Sequence, residues 1–155
     1  MTLEIRAAHL DDATAVAAIL RETNWFAHMA AESAAETAVR VRRFLQDCLR
    51  DDSHAIYVAV SAGEVVGYTA VHWLPYLFMT GPEGYVSELF VRPQARGLGV
   101  GRKLLDAVYA EAAARGCSRL SLLNGRQRES YQRQFYEKQG WEERPFMANF
   151  VRKLP

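Results

Sequence analysis

Residues 85–105, YVSELFVRPQARGLGVGRKLL, bring an acid, a glycine turn and several cations into one short stretch. Glu88 lies in an apolar run that stops at Pro93. Arg96-Gly97-Leu98-Gly99-Val100-Gly101-Arg102 follows, and then a helical pattern with Leu104, Leu105 and Val108 on one face. A strand, a glycine loop and a helix start together make a seat for an anion. The first helical N–H groups have no intrahelical partner, and the helix dipole favours negative charge beside them. Glycines let the backbone approach a bulky anion, because no Cβ intervenes. The stretch therefore points to a phosphate-bearing ligand. A Walker A loop would end in Gly-Lys-Ser/Thr, whereas Gly101-Arg102-Lys103 stands here. A dinucleotide fingerprint requires G-x-G-x-x-G, whereas the spacing is G-x-G-x-G. Both nucleotide loops are therefore disfavoured.

The elements that position this stretch are legible from periodicity. Leu3 and Ile5 alternate as a first strand, and Asp11 or Asp12 is placed to cap a helix carrying Val16, Ile19 and Leu20. Residues 23–34 read as irregular. A second helix is expected from about 35 to 49, with Ala38, Val41, Leu45, Cys48 and Leu49 inward. Ile56, Val58 and Val60 alternate as a strand, Ser61-Ala62-Gly63-Glu64 turns a hairpin, and Val65 to Trp73 returns. Strand 85–91, helix 99–115 and strand 119–123 follow, the two strands parallel and joined by a right-handed crossover. A helix over 129–139 and two last strands between Trp141 and Leu154 complete the order β-α-α-β-β-β-α-β-α-β-β. That order predicts an α/β fold with a mixed, mostly antiparallel sheet and helices on both faces.

At 155 residues, half of them hydrophobic and 24% charged, residues 1–155 are expected to form one globular domain. The net charge of +1 gives no global field to attract nucleic acid or an anionic membrane. No apolar run approaches the about 20 residues of a membrane span. The opening MTLEIRAAHLDD has no basic region followed by an apolar core, so a cytoplasmic protein without a leader is expected. Cys48 and Cys117 do not make a metal spacing and read as structural thiols, and no metal is expected.

What remains for the loop is Arg/Gln-x-x-Gly-x-Gly/Ala, filled by Arg96, Gly99 and Gly101 after Leu89-Phe90-Val91-Arg92-Pro93. This closely resembles the coenzyme A loop of the GCN5-related N-acetyltransferase (GNAT) family. Phe135-Tyr136-Glu137-Lys138-Gln139-Gly140-Trp141 resembles the family's closing signature, and Ile5-Arg6-Ala7-Ala8 with Asp11-Asp12-Ala13 is similar to its opening. The two signatures stand in the right order with a helix and a strand between them, and the resemblance spans essentially the whole chain.

The resemblance implies transfer of an acetyl group from acetyl-coenzyme A to an amine in a ternary complex. It implies that backbone groups of Leu89, Phe90 and Val91 pair with the pantetheine arm, and that amides from Arg96 to Arg102 hold the pyrophosphate. Many relatives carry Asn seven residues before the tyrosine; Glu129 stands there, and Ser130 or Asn124 is the substitute. An alkylammonium must lose a proton before it attacks. Alternation sets Glu88 and Phe90 on one strand face and Leu89 and Val91 on the other, which turns Glu88 toward the cleft as base or substrate contact. His72 and Glu83 are weaker alternatives. Tyr136 fills the family's tyrosine slot, where a phenol with a pKa of about 10 can protonate a leaving thiolate. Trp25, Phe26, His28 and Met29 form either an acceptor wall or a packing patch. Trp73, Tyr76, Leu77 and Phe78 either line the acceptor pocket or form a dimer surface. A small-molecule primary amine is the expected acceptor and a homodimer is possible by analogy. A peptide or protein amine, or a non-catalytic acyl-coenzyme A-binding module, is the alternative.

Overall fold

The alternation at the start of the chain forms strand β1 (Leu3–Ala7), in a computed structural model that describes residues 2–155. Four more strands join it: β2 (His54–Ser61), β3 (Glu64–Leu74), β4 (Glu83–Val91) and β5 (Arg119–Leu122). They lie in one sheet in sequence order; the first three junctions are antiparallel and β4–β5 is parallel. Ala62 and Gly63, at φ 51° and 81°, make the β2–β3 turn, and two positive φ values in a two-residue loop match the right-handed strand twist.

Helix α1 (Ala13–Glu22) and α3 (Ala34–Cys48) cover one sheet face, with the single turn α2 (Ala27–Ala30) between them. Val16, Ile19, Leu20, Val41 and Leu45 pack there on Ile56, Val58, Tyr68 and Ala70. Each buried aliphatic side chain contributes about 1.5–3 kcal/mol. Ser33 starts α3 by a capping box: its Oγ accepts from Glu36 N at 3.1 Å, and its N–H donates to Glu36 Oε2 at 2.7 Å. Leu49, expected inside, falls beyond the last helical residue and is exposed. Asp12 does not cap α1. Its buried carboxylate accepts from the His9 N–H and from both terminal nitrogens of Arg6, at 2.8–2.9 Å, and so ties β1 to α1.

The opposite face is covered by α4 (Val100–Ala114). Val100 and Leu104 pack there with Ala59, Val66, Leu89 and Val91. A Cβ on Gly67 would lie 3.0 Å from the Phe90 carbonyl oxygen and 3.2 Å from Val100 Cγ1, so glycine lets the start of α4 settle on β3. At the other end, Gly116 N–H donates to Ala113 O and Cys117 N–H to Ala112 O, the paired bonds of a Schellman motif.

The chain divides into two units, one running to Leu123 and the other over Asn124–Pro155. In the second unit the expected helix over 129–139 is one turn, α5 (Glu129–Gln132), and a 3-10 turn at Glu137–Gln139. Gln134, at φ 57°, interrupts it, because left-handed backbone cannot continue a right-handed helix. The two strands expected between Trp141 and Leu154 do not form, and no strand follows β5 among the described residues. Glu142-Glu143-Arg144-Pro145 breaks the alternation, Pro145 has no N–H for a ladder, and Phe146, Phe150, Val151 and Leu154 stay exposed. No helix among the described residues is long and apolar enough to cross a membrane.

Candidate functional site

The site of the first unit begins where the sheet forks. β5 pairs with β4 only from Glu83 to Val86, while β3 follows β4 to Val91. The β5-side edge of Ser87 to Val91 therefore lies beyond the parallel ladder. The fork coincides with a bulge: Ala70 faces Glu88 and Val71 faces Val86, so Ser87 is the extra residue. A bulge re-aims side chains and strengthens the local twist. Here two consecutive side chains reach the α1–α3 face, Glu88 meeting Tyr68 and Ser87 meeting His72.

Beyond Val91, a 3-10 turn over Pro93–Ala95 leads into the loop. Gly97 and Gly99 hold φ 75° and 79°, and a Cβ built on either would meet nothing within 4 Å. Both glycines therefore meet a backbone requirement, and they leave the surface open to a ligand. Gly99 is the N-cap of α4, and no side chain caps that end. The first bond into the helix is Lys103 N–H to Gly99 O, so the N–H groups of Val100, Gly101 and Arg102 precede the intrahelical ladder. Val100 anchors the turn by burying its side chain, while Leu98, Arg96 and Arg102 are exposed. Arg96 Nε donates to Val91 O at 3.1 Å, which braces the loop against the strand end. Arg92, counted among the loop cations in the sequence, is directed elsewhere. It donates to Val65 O and pairs with Glu22 of α1.

Glu88 sits deeper than its alternation suggested. Its Oε1 accepts from the Tyr68 hydroxyl at 2.9 Å, and its carbonyl accepts from Thr69 Oγ1 at 2.9 Å. Burial pushes the carboxyl above the usual range, and the Tyr68 bond partly opposes the rise. Burial, then the Glu88 charge and bond, push the Tyr68 phenol well up, so the shared proton rests on Tyr68. Periodicity missed Tyr68; the signal was its place on β3 opposite Phe90, one diagonal step from Glu88. Glu83 is excluded as an alternative base. It is buried and ion-paired to Arg119 at 2.5 Å, and so serves to clamp β4 to β5.

Phe90 gathers the aromatic segment. Its ring lies 5.6 Å from Trp25, 6.1 Å from Phe26 and 5.8 Å from Tyr68. Trp25 and Phe26 therefore stand beside the strand that carries Glu88, with Trp25 partly exposed. Arg21 fixes the segment by donating to Met29 O, Glu32 O and Thr37 Oγ1. Trp73 is no acceptor wall, because it is buried on the α4 face with the Arg115 guanidinium 4.8 Å above its ring. Tyr76, Leu77 and Phe78 are exposed. Burial pushes both cysteine thiols up, and the Glu88 charge adds to this at Cys48, which argues against a thiolate nucleophile.

The second unit holds the remaining candidates. Tyr136 packs edge-on against Phe135 and Trp141, with centroids at 5.0 and 5.9 Å. Ser130 Oγ donates to Asn124 Oδ1 at 3.0 Å, so the two proposed substitutes for the missing asparagine bond each other. Among the described residues no three His, Cys, Asp or Glu side chains are grouped to hold a metal ion.

The sequence profile described as "Acetyltransferase (GNAT) family" matches residues 17–141. An uncharacterized N-acetyltransferase of Bacillus subtilis, YhfO, is 28% identical over 157 residues, covering 99% of both chains. Aminoglycoside N(6')-acetyltransferase type 1 of Stenotrophomonas maltophilia is 38% identical over 82 residues, which span 50% of this chain and only 53% of that enzyme. A solved structure described as a transcriptional regulator from Bacillus halodurans superposes with a TM-score of 0.84 over 99% of this chain and 100% of its own, at 23% identity, and so shares the fold. With a profile match across four fifths of its length and the forked sheet, the chain belongs to the acetyltransferase (GNAT) family.

Proposed function

We propose that the protein is an N-acetyltransferase that moves the acetyl group of acetyl-coenzyme A to a primary amine of a small molecule, by direct attack in a ternary complex. The observation that carries this reading is the fork: β4 runs on past Val86 without β5, and its free edge leads into an uncapped helix start. A pantetheine arm is an extended amide chain and fits a strand edge. A pyrophosphate fits amides that no Cβ covers. Leu89, Phe90 and Val91 take the arm, and the backbone from Arg96 to Arg102 takes the pyrophosphate. Asn124 and Ser130 offer further polar contacts to the coenzyme. Glu88 receives the ammonium group of the acceptor and draws off its proton, and Tyr136 protonates the departing thiolate. The small-molecule acceptor is favoured by the name of the Stenotrophomonas relative, an aminoglycoside acetyltransferase.

The test is release of coenzyme A thiol from acetyl-coenzyme A across a panel of small amines, peptides and proteins. Turnover on a small amine is expected. Tight coenzyme binding with no thiol release on any acceptor would instead indicate a binding module. Tyr136→Phe is expected to lower kcat about 100-fold while leaving coenzyme affinity unchanged; equal turnover would remove Tyr136 from the acid role.

A further inference from the structure

Forming an amide from an alkylammonium removes two protons from one nitrogen. The first leaves before attack, and the second leaves the charged nitrogen of the tetrahedral adduct. Glu88 can hold only one of them at a time. The bulge brings a second acceptor to the same face. His72 Nε2 and Ser87 Oγ lie 2.7 Å apart. His72 follows Tyr68 and Ala70 on alternate positions of β3, so it shares the face that carries Glu88. Ser87 is exposed and stands at the fork, one residue beyond the last β4–β5 pair.

We propose that Ser87 and His72 form a relay that takes the second proton from the acceptor nitrogen. This rests on the acetyltransferase reading above. With the imidazole proton on Nδ1, Ser87 donates its hydroxyl hydrogen to His72 Nε2 and turns its oxygen toward the amine. As the C–N bond forms and the C–S bond breaks, the nitrogen passes its proton to Ser87 Oγ, and Ser87 passes its own to His72. The products are the amide, the thiol protonated by Tyr136, a protonated Glu88 and an imidazolium; one of these two protons is returned through solvent to the Tyr136 phenolate and the other is released. No oxidant or further reactant is needed.

The surroundings of His72 suit a neutral acceptor. The His54 ring of β2 stands edge-on at 4.4 Å, the Tyr85 ring of β4 lies at 6.2 Å, and Ser87 takes Nε2. His54 in turn has its Nδ1 2.7 Å from Ser53 Oγ. Burial, and then the neighbouring His54, lower the His72 pKa. The imidazole is therefore unprotonated at neutral pH and ready to accept. Ser87 touches the substrate, and His72 acts through it.

The experiment is the pH dependence of kcat and kcat/KM, followed by thiol release, in wild type, His72→Gln, Ser87→Ala and the double variant. His72→Gln is expected to lower kcat about 100-fold with little change in acceptor KM, and to remove one ionisation from the acid limb. The double variant should be no slower than the slower single variant, since a relay fails as a unit. Added imidazole should restore part of the turnover of His72→Ala, which a merely structural loss would not permit. Wild-type turnover with an unchanged acid limb in His72→Gln, or strictly additive losses, would overturn the relay alone. No wild-type turnover on any amine would overturn the acetyltransferase reading and the relay with it.

Discussion

At the scale of single residues, the informative pair is Glu88 and Tyr68. A carboxyl raised by burial costs the fold nothing below its unfolded pKa, where both states are protonated. The cost grows as pH rises through the folded value and is complete above it. Glu88→Gln keeps an oxygen for the Tyr68 hydroxyl and loses the buried charge. It should therefore lower turnover about 100-fold while raising or preserving the melting temperature at neutral pH. Full activity in that variant would dismiss Glu88 as the amine's partner. Tyr68→Phe tests the other half of the pair. The Tyr68 bond holds the Glu88 pKa down against burial, so its loss should move the acid limb of kcat/KM to higher pH. Leaving the carboxylate without that donor should also cost about 1–3 kcal/mol of stability, read by urea denaturation. An acid limb that stays in place would mean that Glu88 does not set it.

At the scale of elements, the loop and the start of α4 act together. Val100 is buried to hold the helix, and Gly99 at φ 79° turns the chain into it while leaving the surface open. Gly99→Val forces a β-branched residue into left-handed backbone, at a cost of about 1–2 kcal/mol. A loop that relaxes out of this geometry turns its amides away from the pyrophosphate. Coenzyme A affinity should fall by roughly tenfold or more, since 1.4 kcal/mol is one decade, with the loss greater than any fall in stability measured without ligand. Calorimetric titration checks it, and unchanged affinity would relocate the pyrophosphate. The same stretch explains the fate of its cations. Arg92 faces Glu22 across the end of β4, and only Arg96, Arg102 and Lys103 remain exposed beside the loop.

At the scale of the whole molecule, stability should show an acid dependence that starts at β1. Burial alone would raise the Asp12 carboxyl, but the Arg6 guanidinium and the His9 N–H more than reverse this and hold it below the usual range. The pair's contribution is present above the unfolded aspartate pKa of about 3.9 and is lost as pH falls through the depressed folded value. Asp12→Ala should destabilise the protein by about 2–3 kcal/mol at pH 7, somewhat less than the about 3–5 kcal/mol for breaking a fully buried pair, because Arg6 is partly exposed. The difference should shrink in thermal melts run toward pH 3, and a constant difference would contradict the assignment. Much of this molecule was legible in the chain. Alternation marked β1 and β2, a short apolar run ending at Pro93 marked β4, the 3.6-residue stripe marked α1, α3 and α4, and the spacing of Arg96, Gly99 and Gly101 marked the loop, because these signals are local and each follows from backbone geometry. Residues 124–155 were not legible in this way: a plausible helix is interrupted by left-handed backbone at Gln134, and two plausible strands do not form, since a charged run and Pro145 break the alternation. By itself, the sequence determined the family and the succession of elements from β1 to β5. Only the tertiary structure decided that β5 leaves β4 after Val86, that a bulge turns Ser87 and Glu88 to one face, and that Tyr68 and His72 meet them there. Those contacts join residues 20 and 15 positions apart through strand register, and register is a property of paired strands that neither strand carries alone.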